Sequence, residues 1–167
     1  MATRDTIVIG ASAGGVQALS TLIAELPPDL QAAVFIVLHI PSHVPSLLPH
    51  ILSRDARIPV AHAVHGEVIR PGRAYVAPPD HHLLIEDTYV KLVRGPKENL
   101  HRPSIDALFR SVARSAGTRA IGVILTGALD ESSRSRVGPY RGRLGTLRKY
   151  HHHGHADRAI GAWTRRD

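Results

Sequence analysis

Residues 6–16 read Thr6-Ile7-Val8-Ile9-Gly10-Ala11-Ser12-Ala13-Gly14-Gly15-Val16. Four β-branched residues run into a turn of glycine, alanine and serine. A strand buried on both faces has this unbroken apolar texture. Leu19, Leu22, Ile23 and Leu26 then fall at i, i+3, i+4 and i+7, one face of a helix over 16–26, which Pro27-Pro28 ends. Between strand and helix, Gly10-Ala11-Ser12-Ala13-Gly14 fits G-x-S-x-G, the turn that lifts a nucleophilic serine above a sheet. Small neighbours allow a tight, strained turn. The serine then stands at a helix amino terminus, where backbone N–H groups can stabilise an oxyanion. A phosphate-binding turn uses the same geometry, and by itself the turn leaves both readings open. The dinucleotide fingerprint needs glycine where Ser12 stands, and no G-K-[ST] follows.

Outward from this turn, Ala33–Leu38 (AVFIVL) reads as a second buried strand ending at His39. Strand, helix, strand implies a right-handed parallel unit. Residues 44–54 are predicted as a short helix containing Pro49. IPVAHAV, RAYVAP, HLLIE and YVKLV, between residues 58 and 93, read as short strands of an inserted antiparallel ribbon. Ser104 can cap a helix running to Ala116, with Ile105, Leu108, Phe109 and Val112 on one face and Gly117 at its end. Ile121–Leu125 is a further buried strand. The expected fold class is α/β, a doubly wound, mainly parallel sheet with a β-hairpin insertion.

The charge is uneven. Of the net +7, residues 131–167 carry nine Lys/Arg against three Asp/Glu, so residues 1–130 are nearly neutral. Only four Leu, Ile, Val or Phe occur in 131–167, too few to drive a core. We therefore expect a domain over 1–130 and a basic, disordered tail over 131–167. Tyr140, Tyr150 and Trp163 are too sparse for a stacking platform, so nucleic acid is not an expected partner. No apolar run approaches the length of a membrane span, and no signal peptide precedes Thr6. The chain reads as cytoplasmic, without membrane insertion. There is no cysteine, which excludes disulfides and thiol chemistry.

Adjacent parallel strands end on the same side of a sheet, over the crevice where open α/β folds bind ligands. Ser12 and His39 would both face that crevice. Asp130 and Glu131, a few residues beyond Leu125, would bring a carboxylate there from a third strand end. Serine, histidine and acid are the set that acyl transfer needs. The chain order Ser, His, acid differs from the Ser, acid, His of the α/β-hydrolases. His81 and His82 are adjacent in a predicted strand and point to opposite faces, and H-E-x-x-H is absent. No metal or cofactor is expected.

Five segments, in order, resemble the catalytic domain of CheB-type chemotaxis receptor methylesterases: IGASAGG, VLHIPS (37–42), GRAYVAPPDHH (72–82), HRPSIDALFRSVA (101–113) and GVILTGALD (122–130). The resemblance covers about residues 5–131. It implies hydrolysis of glutamate methyl esters, and deamidation of glutamines, on methyl-accepting chemoreceptors. It implies Ser12 as nucleophile and His39 as general base, with the backbone N–H groups of Ala13 and Ala128 as oxyanion hole. His101 and Arg102 fall in a family segment near the active site, without a defined role.

Two departures stand out. The family pattern after LTG ends in Asp-Gly, where this chain has Glu131-Ser132 with Asp130 one place early, so the acid is Glu131 or Asp130. Beyond it, ESSRSRVGPYRGRLGTLRKYHHHGHADR resembles nothing in the family and reads like a shifted frame in a GC-rich gene. The family's phosphoacceptor receiver domain is not visible before Thr6, so the expectation is that the chain either acts unregulated or relies on a separate receiver or methyltransferase partner. A truncated, inactive relative, or a binding module with a basic tail, are the rival expectations.

Overall fold

The structure, a computed structural model, describes residues 4–39, 45–126 and 147–151. Strand β1 (Thr6–Ala11) lies at the centre of a six-stranded sheet. It pairs in parallel with β2 (Ala33–Leu38) on one side and with β7 (Ala120–Thr126) on the other. Beyond β2 lie β4 (Arg73–Val76) and then β3 (Val60–His62), both parallel. The full order is β3-β4-β2-β1-β7-β8. From β1 the chain first winds one way and later returns the other, so the order reverses at β1. This is a doubly wound sheet.

Both faces of the sheet are covered, which explains the continuous apolar strands. Ile7, Ile9, Ala11, Val34, Ile36 and Leu38 pack with Leu19 and Ile23 of helix α1 (Val16–Ala24). Their alternates Val8, Phe35 and Val37 pack with Leu108, Phe109 and Val112 of helix α3 (Ile105–Ser115). Alternation along each strand thus feeds two cores, one per face. Helix α3 starts as its sequence predicts: Ser104 Oγ accepts from Ala107 N–H at 3.4 Å. Gly117, at φ +53°, lets the chain leave it.

Three expectations change. The segment 58–93 is not one antiparallel ribbon. Its first two strands, β3 and β4, are parallel members of the main sheet. Only β5 (His82–Glu86) and β6 (Tyr89–Val93) form an antiparallel hairpin. Short strands punctuated by Gly and Pro look alike in either orientation. The parallel pairing follows from burial, since Ala74, Tyr75 and Val76 are covered on both faces. Helix α2 is shorter than predicted, Leu48–Ser53, because Pro49 fits only a first helical turn. Finally, Leu147–His151 lies in the span expected to be disordered, yet its backbone forms strand β8, parallel to β7. An edge strand needs little apolar sequence, so LRKYH gave no sign of it. The remainder of 131–167 lies outside the described residues. Among the described residues, no helix is long and apolar enough to cross a membrane.

Candidate active site

Register aligns the strand ends. Ala11 is level with Leu38 of β2 and with Leu125 of β7. The next residues, Ser12, His39 and Thr126, therefore emerge together at the carboxyl edge, at the point where strand order reverses. His39 N–H donates to Ala11 O at 2.9 Å, which extends the β1–β2 ladder to the residue beside Ser12.

Ser12 is exposed, with φ −86° and ψ 169°. This is ordinary extended backbone, so the strained serine expected of the elbow is not found. The turn is made instead by a 3₁₀ segment, Ala13–Gly15, in which Gly15 N–H donates to Ser12 O at 2.8 Å. Ala13 N–H precedes that first internal bond and stands at the amino end of the turn. Gly15 is needed for contact, not for φ: a Cβ there would lie 3.2 Å from Ala11 Cβ and 3.4 Å from Leu125 O. Gly10 is tighter still, since its Cβ would lie 2.5 Å from Ile105 Cγ2. The glycines thus let β1 approach both β7 and the first turn of α3.

That approach shapes the histidine. Ile105 N–H, in the first turn of α3, donates to His39 Nε2 at 3.5 Å. Accepting at Nε2 assigns the Nδ1–H tautomer, with the lone pair on Nε2. The bond is long and can give way to a hydroxyl donor. The His101 ring stacks on His39 with centroids 3.9 Å apart and planes within 6°. Burial first, and then the charge of His101, lower the His39 pKa to about 4, while Asp106 opposes both. At neutral pH the imidazole is uncharged and able to take a proton.

The loop before α3 is braced. Arg102 donates from Nε and Nη2 to Asp80 Oδ1 and from Nη1 to Gly95 O. His82, read as one of a dense histidine pair, is a structural link. It accepts from Ser104 N–H at Nδ1 and reaches Pro96 O at 2.8 Å through Nε2. Among the described residues, no three His, Cys, Asp or Glu side chains gather as a metal-binding group. Ala128, Asp130 and Glu131 lie outside the described residues. The resemblance set His101 near the site without a role; its stack on His39 is what the sequence did not show, because nothing in spacing shows that a loop 62 residues past His39 folds back over it.

A doubly wound α/β domain with a turn-borne serine and a neutral histidine at one strand edge is an architecture suited to ester hydrolysis. The model of the CheB methylesterase family matches residues 7–135, and the chain belongs to that family. Among curated relatives, it is 45% identical over 129 residues to a protein-glutamate methylesterase/protein-glutamine glutaminase of Ralstonia nicotianae. That match covers 75% of this chain and 34% of the relative. A relative of the same description from Geobacter metallireducens is 42% identical over 135 residues, covering 78% and 37%. Another from Yersinia pestis is 38% identical over 151 residues, covering 88% and 43%. The chain thus spans about a third to two fifths of these relatives. The 88% coverage exceeds the residues before Glu131, so likeness carries into the span that the sequence reading set apart as unlike the family. The Thermotoga maritima CheB methylesterase catalytic domain superposes with a TM-score of 0.69 at 32% identity, covering 77% of this chain and 70% of that one.

Proposed function

We propose that this chain hydrolyses glutamate γ-methyl esters and deamidates glutamines, the two activities its relatives' descriptions name, and that, as the sequence resemblance implies, it does so on methylated chemoreceptors. The observation that supports the reading is the level register of β1 and β2, whose next residues are Ser12 and a neutral His39. Ser12 Oγ attacks the ester carbonyl while His39 Nε2 takes its proton. The tetrahedral oxyanion is stabilised by Ala13 N–H and, by resemblance, Ala128 N–H. Collapse expels methoxide, or the amide nitrogen of a glutamine, which takes the proton from His39 and leaves as methanol or ammonia. Water, activated by the same imidazole, then attacks the acyl-serine and frees the glutamate carboxylate. Glu131 or Asp130 supplies the carboxylate that holds Nδ1–H. The expected partner is the helical receptor segment bearing the ester, with a separate receiver or methyltransferase protein as regulator. The site of action would be the cytoplasm.

An acyl-enzyme makes the reading testable. A fluorophosphonate probe should label Ser12, seen as a single modified peptide by mass spectrometry, and His39→Gln should slow the labelling. Modification at another residue, or none in the folded protein, would refute the serine mechanism.

A further inference from the structure

We propose that His101 is a positioning residue for His39: its ring is the platform that fixes the plane of the general base. The inference rests on the esterase reading and extends it to a residue outside the nucleophile, base and acid.

The rings lie 3.9 Å apart and within 6° of parallel. A strand-end histidine on an open edge has two free torsions. Here the β2 backbone fixes its Cα and His101 closes one face of the ring, while Ile105 N–H makes only a long 3.5 Å bond to Nε2. A ring whose plane is fixed limits where its lone pair can point, and catalysis falls steeply when a reacting group is misplaced by about 1 Å. The stack also removes water from one face of the imidazole, which adds to the burial that keeps it neutral.

The loop is built so that this ring can be spared by the fold. His101 N–H and C=O pair with Glu98 O and N at 2.9 and 3.1 Å. The next residue, Arg102, is tied to Asp80 and Gly95, and Asn99 donates to Asp106 at 2.9 Å. The Glu98 carboxylate accepts from Arg110 and from Ser104 Oγ. Backbone and neighbouring side chains hold the loop, while the His101 ring is directed at His39. The charged groups acting on His39 are His101 from this loop and Asp106 from α3.

Two variants of the full chain separate platform from filler. His101→Ala removes the plane. His101→Phe keeps a planar face and removes the ionisable nitrogen. Circular dichroism first establishes that both fold. The His39 ring resonance, identified by its disappearance in His39→Gln, is then titrated by NMR. In His101→Ala its midpoint should move up from about 4 towards the ordinary histidine value of roughly 6.5. On a methyl-esterified receptor fragment, kcat should fall about 10- to 100-fold with KM little changed. His101→Phe should restore most of that loss. An unchanged His39 titration in His101→Ala, or a His101→Phe as impaired as His101→Ala, would overturn the proposal. If the unaltered chain hydrolyses no ester, the esterase reading fails, and the titration still decides whether His101 orders and shields His39.

Discussion

His39 carries its chemistry in its protonation state. Its folded pKa of about 4 lies below the unfolded value near 6.5. As pH falls, the unfolded chain takes this proton first, so the His39 contribution to stability is present above about pH 6.5 and lost down to about pH 4. His39→Gln should flatten this part of the stability–pH curve, measured by denaturant unfolding between pH 4 and 7. A base must be neutral to act, so kcat/KM should rise with pH along a limb below 6.5. A limb at or above that value would mean that a carboxylate outweighs burial. Leu100 offers a second test. It holds φ +69° and is 89% exposed, beside Asn99 at φ +49° in a turn closed by Glu98 and His101. A left-handed conformation costs a branched side chain about 1–2 kcal/mol, and Asn tolerates it better. Leu100→Asn should raise unfolding free energy by about 1 kcal/mol. An unchanged or lower stability would mean that the leucine side chain makes a contribution of its own.

Among elements, the first turn of α3 matters most, because it reaches Gly10, His39 and His82 together. Gly10→Ala would drive a Cβ into Ile105, whose β-branched side chain is stiff. Overpacking of this kind costs about 1–3 kcal/mol and would push Ile105 N–H away from His39. Adding Ile105→Ala should recover part of the thermal stability lost in Gly10→Ala, a coupling measured by a double-mutant cycle. Additive losses would mean that the two residues do not meet. Much of this was legible in the sequence. The β-branched run of 6–9, the Ser104 cap and the apolar face of 105–112 each state a local preference that the fold keeps. What stayed hidden was non-local. The pairing direction of β3 and β4, the cover His101 places on His39 and the His82 link each depend on which segments meet in space. Ser12 was legible as a turn residue, but not its relaxed backbone, since tightness comes from the 3₁₀ segment after it.

Across the whole molecule, the strand reversal at β1 brings the ends of β1, β2 and β7 to one edge. In the proposed mechanism Ser12 and His39, which follow β1 and β2, are nucleophile and base, and Glu131 or Asp130 is the acid. By the resemblance, Glu131-Ser132 stands where Asp-Gly is expected. In a triad without a working acid, turnover falls by about 10⁴. We expect this chain to be a slow esterase. Glu131→Asp with Ser132→Gly should not restore speed, whereas replacing everything from 131 onward with the corresponding segment of a relative should. The most direct measurement is methanol release from methyl-labelled receptor membranes by the unaltered chain, by Ser12→Ala and by the chain carrying the relative's segment. The account predicts slow release by the first, none by the second and fast release by the third. Release undiminished in Ser12→Ala would contradict it.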